Sequence, residues 1–446
     1  MNMQAVSWMR GRAGRYAATA LGAMAVLAFG AFVPAAAQAA APTTLYVSQG
    51  GLDSGTCTSA SPCATVSYAL TKAASGATIE VSGTINDHLA ISHPVTITTW
   101  PGGPAGSPAV LDGTASGTVV TVGSGVTGVT LHDLTIENGS ASYTGGILNS
   151  GTLTLTDSTV SGNSGNGDAG DGIWNYDLAT MTIIDSTVAN NSGFGYGIAN
   201  SGTMTVIAST IAENTSSTSG GGIYSGAGHL TTLAGTIVAD NTGSNCVAAA
   251  DGSLASAGYN LTNDKTDTAC GFTAATDVVN KNPLLGHLAD NGGPTQTLLP
   301  AATSPAADVI PNPETLHGVA VCPATDQRGV TRPGPGETRC SIGAVEVGFT
   351  KLTTASVTVS PAKVTAGARV VYLAVVTPKS GTGTPTGTIS FTTGSTSLCT
   401  AILSGGVAAC GATNAPVGTD TVTGKYSGGD GYASSSGTAT LTVTQG

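Results

Sequence analysis

From Thr78 onward, apolar residues recur in short alternating or β-branched runs: Thr78-Ile79-Glu80-Val81, Val95-Thr96-Ile97, Val119-Val120-Thr121-Val122 and Val129-Thr130-Leu131. Alternate side chains of such a run point to opposite sides, the pattern of a strand with one buried face, and no helical stripe competes with it. Further on, the runs settle into a phrase stated four times: Gly-Ile-x-Asn, a short gap, Leu/Met-Thr-apolar-x-Asp-Ser-Thr-Val/Ile, and a closing Asn. The copies run from Ile147 to Asn163, Ile173 to Asn191, Ile198 to Asn214 and, degraded, Ile223 to Asn241. A period of about 25 residues predicts stacked units that share a core with their neighbours. Three short strands per period, wound in one direction, make an all-β parallel β-helix, right-handed by the crossover rule for parallel strands.

The flanks read differently. Residues 1–39 carry Arg10, Arg12 and Arg15, an apolar run from Leu21 to Val33 and the small-x-small tripeptide Ala37-Gln38-Ala39, the layout of a secretory signal peptide. The rod and its N-terminal cap are assigned to 40–279. Within it, residues 64–74 place Val66, Ala69, Leu70 and Ala73 on one helical face, suited to cover the open sheet edge at the start of a rod. From 280 to 350 the chain turns loop- and proline-rich, which suits a C-terminal cap and linker. Residues 351–446 return to period-2 strands with Gly/Pro turns, such as Ser356-Val357-Thr358-Val359 and Val370-Val371-Tyr372-Leu373, which predict a β-sandwich.

The formal charge is −11, more negative still once the leader arginines are removed, which argues against nucleic acid and anionic lipid as partners. No later stretch has the length and apolarity of a membrane span, so no membrane insertion is expected, and a monomer is. Export sets an oxidising compartment, and the eight cysteines are an even set. Their order suggests the local pairs Cys57–Cys63, Cys246–Cys270, Cys322–Cys340 and Cys399–Cys410, although eight cysteines allow 105 pairings.

Several residues recur in register. Asn149, Asn175 and Asn200 hold one position of the repeat, and Asn138, Asn163, Asn191, Asn214 and Asn241 another. Stacked asparagines satisfy inward-pointing backbone groups at bends and tolerate left-handed geometry, so both sets are read as structural ladders. Asp133, Asp157 and Asp185 share a third position. They either cap their own bends, hold a calcium ion, or act as acid and nucleophile in glycoside hydrolysis. No Lys or Arg occurs between Lys72 and Lys265, which removes the base and the carboxylate-neutralising cations a polysaccharide lyase needs. His132 and Glu137 do not recur and are read as solvated.

Aromatic residues are only 4% of the chain, yet Tyr143, Trp174, Tyr176, Phe194, Tyr196 and Tyr224 fall within a few adjacent repeats. If Ile173 and Ile223 point inward, Trp174 and Tyr224 face outward two repeats apart, with Ala199 leaving a shallow gap between them. Rings of this kind, with Tyr196 nearby and beside Asp168, Asp171 and Asp177, form a sugar-stacking platform, unless they pack under the variable loops or against the C-terminal segment.

Two resemblances extend this reading. Tyr46-Val47-Ser48 to Ala64-Thr65-Val66 resembles the start of pectate-lyase-like β-helices, and Asp326-Gln327-Arg328-Gly329 with Cys340-Ser341-Ile342-Gly343-Ala344-Val345-Glu346 resembles the choice-of-anchor Q type of C-terminal cap. Pro385-Thr386-Gly387-Thr388-Ile389-Ser390-Phe391 and the stretch from Val417 through Tyr426-Ser427-Gly428-Gly429-Asp430 to Tyr432 look like bacterial Ig-like repeats of the group 3 type. The resemblance implies a secreted or cell-surface, adhesin-like and non-catalytic protein that binds a polysaccharide or a surface protein. It brings no catalytic residues with it. A polysaccharide-degrading hydrolase using the stacked aspartates is the alternative.

Overall fold

The computed structural model describes residues 44–445 apart from 102, 105–108, 168, 218–219, 266–268, 335–336, 349–352, 379–383, 395, 429–431 and 433–434. The signal peptide expected at 1–39 lies outside the described residues, as do Asp168, Gly429 and Asp430. Three parallel sheets wind around one apolar core. The first face has nine strands, from Thr44–Ser48 and Ala77–Ser82 through Thr152–Thr156, Thr180–Ile184 and Thr203–Ile207 to Ser253–Ser256. The second runs in seven strands from Thr84–Asn86 to Ile237–Ala239, and the third in seven from Leu89–Ile91 to Cys246–Ala248. Each sequence repeat is one coil. Leu153 lies over Met181 and Met204, and Leu155 over Ile183 and Val206, in unbroken register. These stacked side chains are buried, and each contributes about 1.5–3 kcal/mol by leaving water.

The rod is closed at both ends. Helix Val66–Leu70, shorter than the 64–74 expected, is started by Thr65, whose side chain accepts from the Tyr68 N–H, and its Val66, Ala69 and Leu70 enter the rod core. At the far end Leu254, Phe272 and the Cys246–Cys270 disulfide join that core. The segment after residue 280 is pinned by the Cys322–Cys340 disulfide, as expected of the C-terminal cap, and also packs with Leu261 and Val278 near that end. It doubles back as a strap along the outside of the second face, where Leu298 packs on Ala189 and Ala212, and Ile310, Val321 and Ile342 pack around Ile237 and Ala239. All three residues of Thr159–Ser161, Thr187–Ala189, Thr210–Ala212 and Ile237–Ala239 are buried, where a solvated face would expose every second one.

The Asp-Gln-Arg-Gly motif fastens this strap. Asp326 receives two hydrogen bonds from the Arg328 guanidinium at 2.7 and 3.0 Å, and accepts from the backbone N–H groups of Arg328, Val330 and Glu346. Between them, Gln327 reaches the rod. Its Nε2 donates to Thr159 Oγ1 at 2.9 Å and to the Ser158 carbonyl at 3.2 Å, while its Oε1 accepts from Thr187 Oγ1 at 2.7 Å. Gly343 has φ +94° and donates to the Gly235 carbonyl, and a Cβ there would lie 2.7 Å from Ile237 Cδ1, so only glycine fits.

Thr353–Ser360, Val370–Pro378 and Val407–Ala412 form one antiparallel sheet of the C-terminal sandwich, and Lys363–Thr365, Thr388–Thr393, Thr396–Ile402, Gly418–Tyr426 and Ser435–Thr444 the other. Its core, around Tyr372, Phe391, Val422 and Tyr426, is separate from that of the rod, and Tyr432 Oη accepts from the Gly293 N–H of the strap. Disulfides join Cys57 to Cys63, Cys246 to Cys270, Cys322 to Cys340 and Cys399 to Cys410. Among the described residues no helix is long and apolar enough to cross a membrane.

Candidate functional site

Both asparagine ladders form at bends of the rod. Asn149 Nδ2 donates to Asn175 Oδ1 and Asn175 Nδ2 to Asn200 Oδ1, each at 2.8 Å, and the ladder ends on Thr231 Oγ1. The second runs from Asn163 through Asn191, Asn214 and Asn241 to Asn245 at 2.9–3.1 Å, each amide also bonding carbonyls of its own and the preceding coil. Asn138 is not a member. Ser161 pairs with Glu137, which puts Asn138 level with Gly162 and Gly139 level with Asn163. Asn138 holds instead a left-handed bend position, φ +57°, and its amide bonds Asp112.

Asp133, Asp157 and Asp185 do share a left-handed bend between the first and second faces, with φ of +55°, +50° and +43°. Ala208 and Gly235 take that place in later coils, because Ile207 pairs with Ala234, so the bend itself needs no carboxylate. The serines that follow carry the backbone bonding: Ser158 Oγ accepts from the Leu134 N–H, Ser186 Oγ from Ser158 and Ser209 Oγ from Ser186. The structure divides the carboxylates. Asp185 is sealed beneath the strap, with Arg332 Nη1 at 3.6 Å, and burial pushes its carboxyl well up against the opposing pull of that arginine. Asp133 and Asp157 stay half-buried beside His132, whose Nδ1 is 3.3 Å from Asp133 Oδ2 and whose Nε2 is 3.3 Å from Asp157 Oδ2. The hydrogen bond to Asp157 holds His132 above the usual imidazole range, against a lowering by burial. His132 is thus the hub of a cluster, not a solvated residue; its recurrence-free position in the repeat hid it.

Glu137 is also more than a solvated side chain. With Val110, Thr135, Asp290 and Pro294 it lines a cleft of about 270 Å³ between the second face and the strap, and burial, then Asp112, pushes its carboxyl up. The strap's course along the second face is what the sequence pattern concealed.

On the third face the aromatic register is as the alternation required: Leu148, Trp174, Ala199, Tyr224 and Val247 form one outward column. The rings gather in two groups. Trp174 lies 6.0 Å from Tyr143 and 4.6 Å edge-on from Tyr176, while Tyr224 stacks on Tyr196 at 4.7 Å. Tyr143 is 62% exposed, Tyr176 43% and Phe194 49%, so this is an open apolar surface. Ala199 is buried, and the expected gap is closed. Tyr196 is buried too and serves as backing for Tyr224. Asp177 is exposed on the turn after Trp174. Asp171 is fully buried: its Oδ1 accepts from the N–H groups of Gly165 and Gly195, its Oδ2 has no hydrogen-bond partner among the described residues, and burial pushes its carboxyl up to about 7.

Among solved structures, the chain is similar to the crystal structure of pectate lyase Pel9A at 12% identity, covering 68% of this chain and 96% of that one with a TM-score of 0.37. No protein of curated function matches it. The four disulfides and the C-terminal domain are consistent with an extracytoplasmic protein. Residues 357–444 match the bacterial Ig-like domain (group 3), so the C-terminal sandwich is a module of that kind.

Proposed function

We propose that this is a secreted or cell-surface, adhesin-like protein that binds carbohydrate, without cleaving it, on the third face of the rod. The observation that carries the reading is the row of Tyr143, Trp174 and Tyr176 on the third face, with Trp174 half-buried between two tyrosines open to solvent. Flat rings cover the apolar C–H face of a pyranose, and Asp177 beside them accepts hydroxyl hydrogens. The acidic chain disfavours polyanionic partners, so a neutral or basic glycan suits it. The strap, read as a choice-of-anchor Q type segment, and the Ig-like domain fit display outside the cell.

Retention on immobilised polysaccharides, scored across a panel, tests this. Trp174→Ala with Tyr176→Ala is expected to lower retention at least tenfold while the melting temperature stays within a few degrees; retention equal to the parent on every polysaccharide would end the proposal. Mass analysis of the same incubations for new chain ends tests the hydrolase alternative, which now rests on Asp133 and Asp157 alone, since Arg332 occupies Asp185.

A further inference from the structure

We propose that the bend ridge of the rod binds a divalent transition metal of the zinc class through His132, Asp133 and Asp157. One ligand atom from each of the three lies within 4.8 Å of the others. The separation of His132 Nε2 from Asp157 Oδ2, 3.3 Å, is close to the roughly 3.4 Å between two ligand atoms about 2.1 Å from a tetrahedral zinc, while Asp133 Oδ2 lies 3.3 Å from the other ring nitrogen, Nδ1. An imidazole with two carboxylates is a mixed nitrogen–oxygen set of the kind zinc accepts, whereas calcium takes an all-oxygen shell. Thr98 Oγ1 lies 3.0 Å from Nδ1, the outer-shell partner that fixes a ligating imidazole and leaves Nε2 to the metal.

Two further features fit. Ala208 and Gly235 make the same bend, so the carboxylates of Asp133 and Asp157 are not needed for the turn itself. The side chains of His132, Asp133 and Asp157 are 39%, 19% and 21% exposed, so an ion can enter and water can complete the shell. Asp185, the next in the column, is held by Arg332 and takes no part.

Isothermal titration of the intact chain, stripped with chelator and then titrated with zinc chloride, tests the site. Saturable uptake is expected, weakened at least tenfold in Asp157→Asn and His132→Ala and unchanged in His287→Ala, whose imidazole is fully exposed. Cobalt(II) gives a readout on the unmodified chain: intense visible bands of a four-coordinate ion, displaced by zinc. Asparagine keeps the left-handed bend, so Asp157→Asn is expected to fold, as circular dichroism will show. Absence of zinc uptake and of the cobalt bands, uptake undiminished in both variants, or a calcium site that survives His132→Ala would each overturn the proposal.

Discussion

Single residues in this rod separate into those that hold a coil and those that merely turn it. Asn191 receives the backbone N–H and the side-chain amide of Asn163, and donates to Val160 O, Ala189 O and Asn214 Oδ1. Asn191→Ala leaves buried backbone groups unpaired and is expected to cost about 3 kcal/mol or more in urea unfolding. Asn138→Gly, at a position where the next coil uses Gly162, is expected to change stability by less than about 1 kcal/mol. Equal losses for the two would deny the distinction. Asp171 makes a pH prediction. Its carboxyl is raised from 3.8 to about 7, so the folded state holds a proton that the unfolded chain releases, and stability falls as pH rises from about 4 through 7. Asp171→Asn removes that slope. Relative to the parent, its melting temperature is expected to improve between about pH 5 and pH 8; a difference independent of pH would show that Asp171 does not titrate there.

At the scale of elements, the strap explains what the hydrophobic pattern left out. Period-2 alternation and the repeat together were enough to place the inward residues, the ladder of Asn149, Asn175 and Asn200 and the outward column with Trp174 and Tyr224. Alternation describes one strand and its own two sides. It carries no information on a segment more than a hundred residues away that comes to lie on the outer side, as Gln327 does on Ser158 and Thr159. The small residues Ser161, Ala189, Ala212 and Ala239 at outward positions were the available signal, since charged side chains would ordinarily stand there. Register slips by one residue, as at Asn138, arise because the bend has two adjacent positions that both suit asparagine. Gly343→Ala is expected to lift the strap and destabilise the rod by about 2–3 kcal/mol, with new protease cuts between residues 300 and 347. An unchanged digestion pattern would place the strap's hold elsewhere.

In the whole molecule, the apolar core wound through the rod and the one inside the Ig-like sandwich are separate clusters, with the strap's own contacts on the second face beside the first. Calorimetry is expected to resolve two transitions, and replacing Cys399 and Cys410 with alanine should lower only the sandwich transition, by about 2–3 kcal/mol for so short a loop. A coupled shift of both would mean that the Tyr432–Gly293 contact makes them one cooperative unit. A solenoid is ordinarily free to change length, since each coil needs only its two neighbours. This one is not. The strap touches the rod at Thr159, Thr187, Thr210 and Ile237, in each of four successive coils. It works as a ruler laid against the rod: duplication or loss of a coil in that stretch would move the marks by about 4.8 Å and leave Gln327 or Gly343 facing the wrong rung. The number of coils between Thr159 and Ile237 is therefore measured by the chain itself, and change by repeat duplication is disfavoured within that stretch.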